Sequence, residues 1–161
     1  MVKAVAEHAS AHADYVSSIP FVAQGFTTGA IFCSDGRFAD QVDDFLHNGL
    51  GIGGYDRLAV AGGPACFAGH FLAYREEEGA VSHLKFLARL HGLTRLILIS
   101  HEGCGFYRDF LRVREFDLIQ RQCEDLRRAA RRVREAAGRL EIEAHFARMV
   151  GGSVQFEQIA V

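Results

Sequence analysis

The stretch TRLILIS, residues 94–100, is the clearest β-strand in the chain. Its four consecutive branched aliphatic residues, 96–99, form an apolar run with no polar alternation. A strand of this kind is buried on both faces, as in the middle of a parallel sheet. The polar turn HEGCG, residues 101–105, follows it directly. The stretch therefore predicts a central strand that ends at a loop with imidazole, carboxylate and thiol side chains.

Working outward from this strand, apolar patterns typical of strands alternate with patterns typical of helices. The alternation predicts an α/β fold with an open, mainly parallel β-sheet flanked by helices, closed by a C-terminal β-hairpin. The first and third strands are the most apolar, so we expect them to be central neighbours. The predicted strands are 27–33, 57–61 and 94–100, the helices are 38–47, 80–91 and 116–137, and the hairpin joins 139–150 to 153–160.

Length and composition favour one soluble domain over residues 1–161, with an N-terminal helical arm (1–18) and an α/β core (27–161). Apolar residues make up 49% of the chain, enough for a full core. The net charge of −2 gives no general attraction to nucleic acid or anionic membranes, and no apolar run is long enough to span a bilayer. The N-terminus does not resemble a signal peptide, and the four cysteines are sparse. We therefore expect a cytoplasmic protein with no nucleic-acid or membrane partner.

Three candidate metal ligands follow the two predicted central strands. Cys33 ends the first strand, and His101 and Cys104 follow the third with two residues between them. Ligands of open α/β sheets gather at such strand ends. Two thiolates and one imidazole favour tetrahedral Zn²⁺, and three protein ligands leave a fourth position for water, as in catalytic zinc sites. Either fragment alone is more typical of a buried thiol or a chance pattern, but their joint placement favours a metal site.

A negatively and a positively charged residue follow the first candidate ligand closely in the sequence. Asp35 and Arg37 follow Cys33 in the segment AIFCSDGRF, residues 30–38. Such residues are rarely buried without a task, so we expect them to form a charge-assisted pair beside the metal.

The patterns CxDxR (33–37) and HxxCG (101–105), each after an apolar strand, resemble those of the β-class carbonic anhydrases. The resemblance extends from about residue 27 to the final hairpin and includes the segment 80–105. It implies that Cys33, His101 and Cys104 bind Zn²⁺ and that Asp35 and Arg37 form the family's catalytic dyad. It also implies a homodimer or higher even oligomer, with active sites near the subunit interface and N-terminal helices that embrace the partner.

The activity that this resemblance implies is carbonate dehydratase activity, in which zinc-bound hydroxide reversibly hydrates CO₂ to bicarbonate. Asp35 would orient the zinc-bound water, and Arg37 would hold Asp35 ionised and away from the metal. In a closed state of the site, Asp35 itself would be a fourth zinc ligand.

Several positions depart from the family pattern, among them Ser100, which stands before the ligand histidine where the family commonly has glycine. Ala59 and Val60 replace two polar residues after the second strand, and Glu102 stands between the HxxC ligands. Glu102 would disfavour hydroxide on the metal unless it points outward and pairs with an arginine. Two alternatives therefore stay open: a related zinc hydrolase acting on COS or CS₂, and a catalytically silent zinc protein with Asp35 in the fourth position.

The remaining candidate groups have structural interpretations. The pair His8 and His12 is expected on a solvated helix face, and the arginines of the 116–137 helix are expected on its solvated side. Cys66 and Cys123 are expected to be core thiols, and the acidic run at 75–78 an exposed loop or helix end.

Overall fold

The computed structural model describes residues 14–161 and contains one five-stranded sheet. The strands are β1 (Thr28–Cys33), β2 (Asp56–Val60), β3 (Arg95–His101), β4 (Glu141–Val150) and β5 (Ser153–Ile159). Their order across the sheet is β2-β1-β3-β4-β5.

The pairing of the strands confirms the predicted fold class. β2, β1, β3 and β4 are parallel, and β5 pairs antiparallel with β4 to form the C-terminal hairpin. β1 and β3 are neighbours inside the sheet, as their apolar sequences predict. The chain leaves β1 toward β2 on one side and returns to β3 on the other. This reversal places a topological switch point between the carboxyl ends of β1 and β3, where ligands of such sheets gather.

Among the described residues, three α-helices cover the two faces of the sheet. They are α1 (Ala39–Asp44), which continues as one wider π-helical turn over Phe45–Gly49, α2 (Tyr74–His91) and α3 (Leu118–Ala137). α2 and α3 cover one face, and α1 covers the other. Helices on both faces explain why β3 carries apolar side chains in both directions.

The side chains of β3 illustrate the two cores. Leu96 and Leu98 point toward the α2–α3 side and are buried there with Leu126 and Val133 of α3. The alternate residues of the strand face the opposite core, which includes Val42 of α1. Each of the four aliphatic residues 96–99 is at most 1% exposed, so the strand is anchored firmly on both sides.

α2 begins at Tyr74, ahead of its predicted start at Ala80. The acidic run at 75–78 therefore forms its first turns, where negative charge is favourable. Glu77, expected to be exposed, is 9% exposed because it forms an ion pair with Arg132 of α3. The sequence spacing of apolar residues could not reveal this turn, because its buried residue is a paired acid.

The buried face of α3 differs from the predicted apolar seam. Phe116 precedes the helix, is 75% exposed and packs under the guanidinium of Arg114, so its predicted place in the seam is wrong. Leu126, Ala130 and Val133 are buried as predicted. Two polar residues that the pattern did not predict, Gln122 and Asp125, are buried beside them.

The predicted N-terminal helix lies mostly outside the described residues, as does the pair His8 and His12. Residues 14–27 contain no helix or strand. Within the described range 14–161, no helix has the length and hydropathy needed to cross a bilayer.

Candidate metal centre

The structure brings the three candidate ligands together at the switch point. The ligand atoms of Cys33, His101 and Cys104 all lie within 4.8 Å of one another. The two Sγ atoms are 3.8 Å apart. His101 and Cys104 are buried, whereas Cys33 is partly exposed. Residues separated by about 70 positions in the chain thus form one compact group of nitrogen and sulfur ligands.

Local backbone geometry explains how β3 presents two of these side chains. His101 is the last residue of the strand, and the turn that follows contains Gly103 with a left-handed φ of 68°. The backbone N–H of Glu102 donates to the carbonyl of Ala147 on β4 at 2.9 Å, which anchors the start of the turn. The turn then reverses the chain so that Cys104 returns to the side of His101.

The loop after β2 reaches the site through two glycines. Gly62 and Gly63 both have positive φ, of 76° and 53°. A Cβ atom on Gly63 would lie 2.7 Å from the backbone nitrogen of Cys33, a distance that real side chains do not show. Glycine therefore permits the close backbone approach that places this loop against the end of β1.

The imidazole of His101 is oriented for metal binding. Its Nδ1 lies 2.9 Å from the carbonyl oxygen of Glu102, and because a carbonyl only accepts, Nδ1 carries the proton. The ring also packs against Phe38, with centroids 4.2 Å apart. Nε2 then has a free lone pair, and it is buried without a hydrogen-bond partner in the described chain. A buried nitrogen of this kind fits a bound cation.

The surroundings favour the thiolate form at Cys33 and the thiol form at Cys104. The hydrogen bond from the Cys104 thiol lowers the pKa of Cys33 to about 4 and raises that of Cys104. Backbone N–H groups of Asp35 and Gly62 further lower the pKa of Cys33, and those of Phe106 and Tyr107 act in the same direction on Cys104. Thiolate is the form that binds metal, and a bound cation would deprotonate the Cys104 thiol as well, so the donor set fits Zn²⁺.

Asp35 and Arg37 form the predicted ion pair beside this group. Arg37 Nη2 donates to Asp35 Oδ2 at 2.6 Å, and Arg37 Nε donates to Oδ1 at 2.9 Å. The Arg37 side chain is 70% exposed, so the pair is not buried as the sequence led us to expect. This fork of hydrogen bonds lowers the pKa of Asp35 to about 2 and keeps its carboxylate ionised.

A cavity of about 420 Å³ opens beside Cys33 and Asp35. Ala61, Gly62 and two phenyl rings give it an apolar wall, and its polar lining includes Ser34 and Glu76. Neither Ala59 nor Val60 lines it, so the departure from the family pattern at these positions does not reach the cavity. The lining residues are Cys33, Ser34, Asp35, Ala61, Gly62, Glu76, Gly105, Phe106 and Phe110.

The larger side chains of the lining that were not predicted are Glu76, Phe106 and Phe110. Glu76 reaches the cavity because α2 begins early, and no pattern in the sequence indicates that start. Phe106 and Phe110 lie on a helical turn directly after Cys104. Aromatic residues immediately following a ligand motif are a signal that sequence reasoning could have used.

Glu102 points away from the thiols, which is the outward orientation that the sequence analysis considered. Its Oε2 accepts a hydrogen bond from the backbone N–H of Met149 at 2.9 Å. The partner is thus a backbone amide of β4 and not the arginine that the sequence analysis considered as one possibility. This hydrogen bond holds the carboxylate of Glu102 near the carboxyl end of β4.

The two remaining cysteines lie outside the candidate metal group. Cys66 is 2% exposed and its thiol donates to the carbonyl of Ala61 at 3.2 Å, as expected of a core thiol. Cys123 is partly buried and packs against the same core.

The sequence matches no protein-family model, and no curated protein is detectably similar to it. Solved structures do match the fold. A carbonic anhydrase from Glaciozyma antarctica has a TM-score of 0.57 at 19% identity, with 89% of this chain and 86% of that chain covered. The β-carbonic anhydrase isoform I of Trichomonas vaginalis has a TM-score of 0.56 at 15% identity, covering 91% and 90%. A carbonic anhydrase from Streptococcus mutans has a TM-score of 0.55 at 15% identity, covering 89% and 88%.

These likenesses extend over nearly the whole of each chain. The protein therefore has the fold of the β-carbonic anhydrases, which confirms the fold that the two motifs led us to expect. At these identities the comparison concerns the fold alone, and the activity has to be argued from the site.

Proposed function

We propose that this chain is a zinc-dependent carbonic anhydrase that catalyses the reversible hydration of CO₂ to bicarbonate. The observation that carries the proposal is the group of Cys33, His101 and Cys104, whose ligand atoms lie within 4.8 Å of one another at the switch point. The free, buried Nε2 of His101 and the stabilised thiolate of Cys33 support a metal at this place.

The three side chains would hold the cation and leave one coordination position open to the cavity. Zinc, when bound, supplies a water molecule whose pKa falls from about 15.7 to about 7, which makes it a nucleophile at neutral pH. The carboxylate of Asp35 lines the cavity and, as an acceptor only, would orient the attacking water by accepting its hydrogen bond. The hydration of CO₂ by water yields bicarbonate and one proton, which passes to solvent.

Arg37 has a positioning role in this scheme. Its guanidinium balances the negative charge of the Asp35 carboxylate through two parallel hydrogen bonds. It thereby keeps the carboxylate ionised and fixed at the cavity wall. Ala61, Gly62 and the rings of Phe106 and Phe110 provide an apolar surface suited to a small neutral molecule such as CO₂.

The same apolar wall favours one second candidate, a zinc hydrolase that acts on COS or CS₂. These molecules are neutral and linear like CO₂ but larger and more polarisable, and phenyl rings make good contacts with sulfur. The two activities share the metal ligands and differ only in the electrophile.

We also propose a cytoplasmic homodimer, or a higher even oligomer, of single-domain subunits. All four cysteines lie in the described region as free thiols, which suits a reducing compartment. Tyr15, Val16 and Phe21, close together in the sequence, are 88%, 85% and 92% exposed, and large exposed apolar side chains of this kind suit a surface that a partner covers.

The test is a zinc determination on purified protein combined with stopped-flow CO₂ hydration across pH. We expect one zinc per chain and a rate that rises with pH. In a Cys33→Ser variant we expect loss of zinc and at least a hundredfold loss of rate, because one of three protein ligands is weakened. Cys123→Ser, at a partly buried cysteine outside the ligand group, is the matched control and should keep both.

The outcomes separate the candidate functions. Protein without zinc from zinc-replete cells would refute the proposal. Zinc-loaded protein that turns over COS or CS₂ but not CO₂ would support the second candidate. Zinc-loaded protein inactive on all three would be a catalytically silent zinc protein.

A further inference from the structure

Gln122 is a polar side chain on the buried face of α3. It is 1% exposed, and the other buried positions of this face include Leu126, Ala130 and Val133. Burying an amide among apolar groups is unfavourable unless hydrogen bonds compensate it. Its place in the core therefore calls for a specific contact.

That contact is made with the backbone of a proposed metal ligand. Gln122 Nε2 donates to the carbonyl oxygen of His101 at 2.7 Å. The ladder between β1 and β3 ends at the pair Phe32–Ile99, so no residue of β1 pairs with His101. A donor from α3 takes the place that a neighbouring strand would otherwise fill.

The hydrogen bond completes the set of contacts that fix His101. Glu102, the next residue, is tied to β4 through its N–H, and its carbonyl accepts from Nδ1 of the imidazole. Gln122 holds the backbone from the helix side. With the backbone and Nδ1 both fixed, Nε2 is directed at the two thiols and cannot rotate away without breaking one of these bonds.

We propose that Gln122 is a positioning residue for the metal site, which orients His101 for binding a divalent cation. This inference rests on the proposed function, because it concerns the same site. Partners that lie behind the metal ligands and orient them typically contribute ten- to a hundredfold to metal affinity.

A purely structural role explains the residue less well. Gln122 Oε1 is buried without a hydrogen-bond partner in the part of the chain that the structure describes. Methionine, of similar length, would fill the same space without an unpaired oxygen. Replacing Gln122 by methionine removes one hydrogen bond, which lowers the stability of the metal-free protein, and one buried unpaired acceptor, which raises it. These two effects oppose each other. The effect on metal binding has no such compensation.

The experiment compares Gln122→Met with Gln120→Met, the same substitution at an exposed position of the same helix. Co²⁺ is titrated into metal-free protein against a competing chelator, and the sulfur-to-cobalt charge-transfer absorption is recorded. We expect Gln122→Met to bind Co²⁺ about tenfold more weakly and with an altered spectrum, and Gln120→Met to match the wild type. Urea unfolding of the metal-free proteins shows whether stability changes separately.

Wild-type Co²⁺ affinity and spectrum in Gln122→Met would overturn this inference and leave the zinc proposal intact. Absence of Co²⁺ binding by the wild type would overturn the proposed function itself. If Gln122→Met does not fold, Gln122→Asn keeps an amide that is one methylene too short to reach the carbonyl. It should also bind Co²⁺ more weakly, and unchanged affinity there would equally overturn the inference.

Discussion

Two buried polar clusters of the molecule are built in opposite ways. The first is the metal group of Cys33, His101 and Cys104. The second, here called the Asp125 cluster, consists of Asp125, His70, Arg121 and Arg128.

The Asp125 cluster balances its charge with residues of the chain. His70 Nε2 lies 2.6 Å from Asp125 Oδ2, and Arg121 and Arg128 approach Oδ1 at 3.3 and 3.8 Å. Arg121 Nη2 is 3.3 Å from His70 Nδ1, an arrangement in which Nδ1 accepts and Nε2 donates. The carboxylate is fully buried; its Oδ2 accepts from His70, whereas Oδ1 has no hydrogen bond in the described chain and is balanced only by the charge of the two arginines.

The metal group contains no opposite charge of this kind. His101 Nε2 has no partner in the described chain, and the two thiols have mainly each other. Sulfur and imidazole nitrogen converge there with no cation from the protein among the three. A buried cluster that neutralises itself has a structural role, whereas one that leaves convergent donors unpaired calls for a ligand from outside.

The largest effect is expected from breaking the self-balanced cluster. Asp125→Ala leaves His70, Arg121 and Arg128 facing a buried space without their anion. Removing one partner of a buried charge pair typically costs about 3–5 kcal/mol. Urea unfolding should show this loss equally in the presence and absence of zinc.

Asp117→Ala is the matched control for Asp125→Ala. Asp117 pairs with Arg114 near the surface, with side chains 39% and 72% exposed. Exposed pairs contribute at most about 1 kcal/mol, so this variant should unfold close to the wild type. If both variants lost similar stability, the Asp125 cluster would not be the structural element inferred here.

A smaller effect, dependent on metal, is expected at the other cluster. Zinc at a free concentration one hundred times its Kd should stabilise the wild type by about 2.7 kcal/mol, because it binds the folded state. A chelator should remove this gain, and His101→Ala should show no zinc-dependent gain, because it lacks the only nitrogen ligand. Thermal or urea unfolding with buffered zinc measures the difference. An unchanged zinc effect in His101→Ala would place the metal elsewhere.

The contrast between the clusters also explains how much of the molecule its sequence reveals. The residues of the metal group belong to two short motifs at strand ends. The apolar runs that identify β1 and β3 in the sequence therefore also identify the positions of the ligands. The central pairing of β1 with β3 and the hairpin follow from the same patterns. These features were predictable because their signals are local.

The Asp125 cluster and its neighbours have no such signal. His70 and Asp125 meet only because the loop before α2 packs on α3, and Gln122 and Asp125 occupy positions where the helical spacing predicts apolar residues. Glu77 was missed for the same reason, since its partner Arg132 lies far along the chain. Burial of a polar residue depends on a distant partner, which periodicity cannot identify.

A third buried polar group, His145 of β4, sharpens the comparison. Both of its ring nitrogens are buried without a hydrogen-bond partner in the described chain, although Glu143 Oε2 lies 3.7 Å from Nε2. It belongs to no group of metal ligands found among the described residues. An unpaired nitrogen is thus not sufficient for a metal site, and convergence with other donors is required.

The smallest effect is therefore expected from His145, and it depends on pH. Burial lowers the pKa of His145 below its usual value of 6.5. The folded state then binds fewer protons than the unfolded state, so the stability that the neutral ring contributes is present above about pH 6.5 and is lost as the pH falls through the lowered pKa. Urea unfolding of metal-free protein at pH 7.5 and 5.5 should show a steeper loss for the wild type than for His145→Leu. His83→Leu, at an exposed histidine, should keep the wild-type slope. Equal slopes in all three proteins would mean that folding does not shift the pKa of His145, because the nearby carboxylate of Glu143 offsets the effect of burial.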